Sequence, residues 1–131
     1  MKQPESREPS ELNVITKAKD LVKHTFTLTS NTDRYPKKYR FTLTDRIQNK
    51  VLSIYECLLE ANELNLNVPE EKKQRQALQT RVLTYTKELL YFIELSVELK
   101  LLELKSAEYW SKMVFDIRYM TMAWRKKDNS R

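Results

Sequence analysis

IQNKVLSIYECLLEA, residues 47–61, decides the fold. Its apolar residues Ile47, Val51, Ile54, Leu58 and Ala61 step by 4, 3, 4, 3. That is the period of one helix face, not the alternation of a strand. A stripe this narrow is the seam of a helix in a bundle. Cys57 lies beside the seam and is the chain's one cysteine. It reads as a small buried hydrophobe, and no intrachain disulfide is possible, which suits a reducing cytoplasm.

The surrounding chain repeats the pattern. Its 131 residues include no glycine, so the tight turns that hairpins need would be hard to build. Upstream, Val14, Ile15, Ala18, Leu21, Val22 and Leu28 mark a first helix from an N-cap at Ser10 to about Ser30. Tyr35-Pro36 marks a boundary, because the residue before proline is pushed out of the α region. The second helix begins between Pro36 and Thr44 and ends near residues 65–67. Pro69 opens a third at its N1 position, followed by Glu70 and Glu71 where the helix dipole favours anions.

The third helix runs to about Leu99 with two stripes, one through Leu78, Val82, Tyr85, Leu89, Phe92, Ser96 and Leu99, the other through Leu83, Thr86, Leu90, Ile93, Val97 and Leu101. Residues 100–105 form a connector. Ser106 is expected to cap a fourth helix with the stripe Trp110, Met113, Ile117, Met120, Trp124, dissolving into RKKDNSR. The prediction is an all-α, antiparallel up-down-up-down four-helix bundle over residues 10–127, with disordered tails at 1–9 and 128–131. Phe115, Tyr119 and Met122 form a second apolar track on the last helix, which points to a subunit interface.

Chemistry is sparse. His24 is the only histidine and reads as a surface or half-buried helix residue. No second Cys or His completes a zinc site, and without glycine there is no phosphate-cradling loop. Glu56, Glu60 and Glu63 share a face but lack the Glu-x-x-His pairs of a di-metal bundle. The sequence predicts no enzyme, no cofactor and no metal. No apolar run reaches the ~20 residues of a membrane span, and the N-terminus lacks a signal-peptide core, so a cytoplasmic protein without membrane contact is expected.

The net charge is +6, unevenly placed. Residues 34–50 carry six cations and one anion, 51–71 five glutamates and no cation, and 72–87 five cations and no anion. In an up-down bundle, Lys37, Lys38, Arg40, Arg46 and Lys50 gather with Arg34 at one pole. Lys72, Lys73, Arg75 and Arg81 join Arg125, Lys126, Lys127 and Arg131 at the other. Two readings stand. Either these charges are solvated, or they bind a polyanion through counterion release, in which case binding is salt-sensitive. There is no recognition-helix motif and no aromatic platform of the RRM kind, so shape or charge would lead.

YPKKYRFTLTDRIQNKVLSIYECLLEANEL, residues 35–64, resembles the helix 1–helix 2 junction of the bacterial family that includes the accessory variability determinant (Avd) proteins of diversity-generating retroelements. The shared pattern is aromatic-Pro-Lys-Lys-x-Arg-Phe-Thr-Leu-x-Asp-Arg-Ile and a helix ending Leu-x-Glu-Ala. The stretch TKELLYFIELSVELKLLELKSAEYWSKMVFDIRYMTMAWRK is similar to the family's helix 3–helix 4 passage. The resemblance covers residues 12–127. A sibling branch is encoded in intervening sequences of large-subunit ribosomal RNA genes.

The resemblance implies a ring-like homo-oligomer, a pentamer, that binds a reverse transcriptase and its template RNA or DNA. It places those contacts on cations such as Lys37, Lys38, Arg40 and Arg46, and on Arg125, Lys126 and Lys127. The chain departs from many relatives in lacking glycine before its last tryptophan. Asp45-Arg46 has a second reading, as a structural ion pair with a neighbouring helix or subunit.

Overall fold

The computed structural model describes residues 9–130, with side chains from residue 13 onward. The described residues form four α-helices, α1 (Pro9–Thr29), α2 (Asp45–Glu63), α3 (Pro69–Glu98) and α4 (Leu104–Asn129), and no strand. A 3-10 turn over Lys37–Tyr39 and a π turn over Arg40–Thr44 lead into α2. Each helix packs on its two neighbours in the order α1, α2, α3, α4 and back to α1.

Polar ties fix the antiparallel directions. Gln48 Nε2, early in α2, donates to Thr29 Oγ1 at the end of α1. Lys50 Nζ, also early in α2, reaches Glu88 Oε1 late in α3. Trp110 Nε1, early in α4, donates to Thr25 Oγ1 late in α1, and Arg118 Nη1 donates to the Leu83 carbonyl of α3. Each tie joins one helix's start to its neighbour's end, or middle to middle. The bundle is therefore up-down-up-down.

The α2 seam is as its period requires: Ile47, Val51, Ile54, Leu58 and Ala61 are all fully buried. Burying one such large aliphatic side chain stabilises the fold by about 1.5–3 kcal/mol. On α4 the buried face is rotated slightly from the expected stripe. Val114 and Thr121 are buried beside Trp110, Ile117 and Trp124, while Met113 and Met120 are only half-buried at its edge. On α3 the two expected stripes merge into one broad face through Leu78, Val82, Leu89 and Ile93. Leu83, Leu90 and Val97 flank it half-buried.

Helix ends depart from expectation in three places. Ser10 lies inside α1, which is described from Pro9; the rest of the 1–9 tail falls outside the described residues. Glu103, not Ser106, is the N-cap of α4, and its side chain makes no capping hydrogen bond. The helix α4 does not dissolve at 127. It continues to Asn129 because Asp128 is buried and held by α3.

The α3–α4 corner shows how a glycine-free chain ends a helix. Lys100 has φ 63°, a left-handed conformation usually left to glycine. Its N–H bonds the Val97 carbonyl, and the N–H of Leu101 bonds the Ser96 carbonyl. This is the Schellman pattern, and it satisfies carbonyls that α3 would otherwise leave open.

Candidate nucleic-acid interface

Antiparallel packing collects the end of α1, the winding into α2, the end of α3 and the start of α4 at one pole. Lys37, Lys38, Arg40 and Arg46 are exposed there. Among the described residues none of these four is ion-paired. Lys38 Nζ stands 5.2 Å from the Tyr39 ring centroid, and the Arg46 guanidinium stands 5.6 Å from that of Phe92. Rings at this range attract a cation without neutralising it. The Asp45-Arg46 step forms no ion pair with a described residue.

The winding explains the exposure. Subtracting three or four from Ile47 lands on Leu43 and Thr44, which are buried, while Phe41, six places back, falls off the seam. Phe41 is 79% exposed in the midst of the cations. No aromatic platform was expected from the sequence. The signal lay in the same count, since an aromatic residue six places before Ile47 cannot share its face.

Beneath the cations lies a cleft of about 260 Å³. Its walls come from Thr29 and Ser30 at the end of α1, Thr32, Lys37, Arg40 and Thr44 in the winding, and Asp45 and Gln48 at the start of α2. Tyr35 forms part of the base and is buried. Burial pushes its phenol above the usual value, with the Ser96 hydroxyl and Arg34 pulling the other way, so it stays protonated.

Two residues expected to meet phosphate do not stand ready for it, and a third, exposed, stands apart from the pole it was expected to join. Lys50 is half-buried, bonded to Glu88 at 2.7 Å and 4.5 Å from the Tyr85 ring centroid. Arg75 is buried. Its Nε and Nη2 clasp both oxygens of Asp128 at 2.7 and 3.0 Å, Nη1 reaches the Leu64 carbonyl, and its plane lies 4.7 Å from the Trp124 ring. Gln79 Nε2 gives Asp128 a further bond. Arg81 stands six residues further along α3, about 9 Å from Arg75 on a 1.5 Å rise, so it lies apart from the second pole. It neighbours Cys57, whose thiol is pushed up chiefly by burial.

At the second pole Lys126 and Lys127 are exposed in the last turn of α4, where the helix dipole favours cations, and Arg125 is half-buried. Gln76 and Asn129 are hydrogen-bonded side by side. Glu63, Glu70 and Glu71 belong to the same end, and the first pole mixes signs as well, since the end of α3 and the start of α4 bring Glu98 and Glu103 to it. Among the described residues no group of three or more His, Cys, Asp or Glu could hold a metal ion, and no helix is long and apolar enough to cross a membrane.

No protein-family model and no curated protein matches the chain. Among solved structures it is similar to a protein with unknown function from the S23 ribosomal protein family of Bacteroides thetaiotaomicron. The two share 14% identity over 89% of this chain and 98% of that one, with a TM-score of 0.77. The chain has that protein's fold. At this identity the likeness carries the helical architecture and nothing finer.

Proposed function

We propose that this chain is a non-enzymatic bundle that binds nucleic acid by charge through the pole at the start of α2. The observation that carries the reading is the set Lys37, Lys38, Arg40 and Arg46, exposed and without ion-pair partners among the described residues. Each phosphate such a group neutralises releases a counterion, so a few of them supply useful affinity at low salt. Phe41, exposed among them, adds a surface on which an unpaired base can stack. Lys126 and Lys127 form a weaker second contact.

The finer role follows the resemblance to the Avd proteins. In that role the chain is a homopentamer that docks a reverse transcriptase of a diversity-generating retroelement and holds its template RNA or DNA. Phe115, Tyr119 and Met122 support self-assembly, being exposed on one track of α4, with the Phe115 and Tyr119 rings stacked at 5.9 Å. The same track favours a second reading, a protein-interaction bundle whose cations have no nucleic-acid role.

One experiment separates them. Fluorescence anisotropy with labelled RNA and DNA is run across salt on the wild type and on Lys37→Gln/Lys38→Gln/Arg40→Gln, with light scattering on both. Salt-sensitive binding lost in the variant while the assembly persists supports the first reading. An assembly that ignores both polymers at low salt supports the second. A monomer that ignores them defeats both.

A further inference from the structure

The cleft under the basic pole has a composition that a bare phosphate does not explain. Lys37 and Arg40 line it together with the hydroxyl residues Ser30, Thr32 and Thr44. Thr44 is buried and its Oγ1 has no hydrogen-bond partner. A buried hydroxyl left unpaired costs about 1–3 kcal/mol, a cost that a ligand group reaching it would relieve. Asp45, half-buried and forming no ion pair with a described residue, lines the cleft too. A carboxylate is an acceptor only. It repels phosphate, yet it rewards a hydroxyl donor carried by the same ligand.

We infer that the cleft is a site for a ribose phosphate unit. The phosphate lies against Lys37 and Arg40, Thr44 Oγ1 donates to it, and a sugar hydroxyl donates to Asp45. Within a polynucleotide chain the 2′-hydroxyl is the group that meets this demand, and DNA lacks it. The cleft's volume of about 260 Å³ suits one such unit and not a duplex. The same chemistry reaches the site from an RNA strand or from a free sugar phosphate. As a contact to RNA the inference rests on the proposed nucleic-acid role; as a sugar phosphate site it stands without it.

The test titrates the full chain, labelled with nitrogen-15, with ribose 5-phosphate, 2-deoxyribose 5-phosphate and inorganic phosphate. It then compares RNA and DNA oligonucleotides of one sequence by anisotropy. The expected result is saturable shifts at the amides of Ser30, Thr32 and Thr44 with ribose 5-phosphate, about tenfold weaker with the deoxy sugar, the value of one charge-assisted hydrogen bond. Asp45→Ala, which leaves no acceptor, removes that difference, and Thr44→Val weakens both sugars.

Equal affinity for the two sugars, or no saturable shift, overturns the inference whether or not the polymers bind. Polymers that bind while the sugars do not leave the nucleic-acid role standing and defeat the cleft. Sugars that bind as expected while neither polymer binds uphold the cleft as a free sugar phosphate site and defeat that role.

Discussion

Asp128 Oδ2 accepts a hydrogen bond from Arg75 Nε at 2.7 Å across 53 residues of sequence, and both side chains are shut away from solvent. The pair locks the end of α4 onto the start of α3. Removing one partner strands a buried charge, which costs about 3–5 kcal/mol. Urea unfolding of Asp128→Ala is expected to show a loss of that order. Arg75→Leu/Asp128→Leu recovers a large part of it, because no charge is then stranded. Lys126→Gln, two residues away and exposed, stays within about 0.5 kcal/mol of the wild type.

Lys38 and Lys50 lie in one stretch of like charge, yet only Lys50 is tied to a carboxylate, Glu88. Lys38→Gln is expected to flatten the plot of log affinity for duplex DNA against log salt by about 0.9, one phosphate contact. Lys50→Gln leaves that slope unchanged and costs less than about 1 kcal/mol of stability, the value of a partly exposed pair. Equal slopes for the two variants would place nucleic acid elsewhere on the bundle.

Phe41 stands exposed where no packing requirement of the bundle puts an aromatic ring. Phe41→Ala is expected to weaken binding of a single strand by about 1–3 kcal/mol, the cost of one lost base stack. Duplex binding should be unmoved, since its bases are already stacked. Thermal stability should not fall, because the ring is outside the core.

Lys100 holds a left-handed conformation that costs a non-glycine residue about 1–2 kcal/mol. Glycine adopts it freely but gives the unfolded chain more freedom, which takes back part of the gain. Lys100→Gly is expected to stabilise the bundle by about 0.5–1 kcal/mol, read from the denaturation midpoint at unchanged slope.

Burial holds the His24 imidazole below its ordinary value of 6.5, and its Nε2 is buried without a hydrogen-bond partner. Its ring meets the edge of Tyr109 at 5.2 Å. The unfolded chain therefore binds a proton more readily than the folded one. Stability is complete above 6.5 and is lost as pH falls through that value towards the lower folded one. Melting curves between about pH 8 and about pH 5 should show a declining midpoint, and His24→Gln should flatten the decline in its upper part.

Much of the architecture is legible in the chain because its signals are local. Ile47 to Ala61 carry a period that nothing but a helix face satisfies, and Pro36 and Pro69 break the winding by their own ring geometry. The cation-rich stretch at 34–50 is equally plain. What the chain hid was which charges are spoken for. Arg75 and Gln79 continue the α3 stripe at three- and four-residue steps back from Val82, so a polar extension of the seam was there to be counted. Asp128, however, reads as one anion in the basic run RKKDNSR.

The order of residues alone determined four helices, their directions and the seam that buries them, because backbone sterics and side-chain period act over a few neighbours. Only the folded bundle decided that Arg75 and Lys50 serve packing while Lys37, Lys38, Arg40 and Arg46 stand open, and that Asp45 and Thr44 share a cleft with two of them. The reason is range. A charge is cancelled or left free by what lies within a few ångströms of it, and antiparallel packing sets those neighbours across as many as 53 residues of chain.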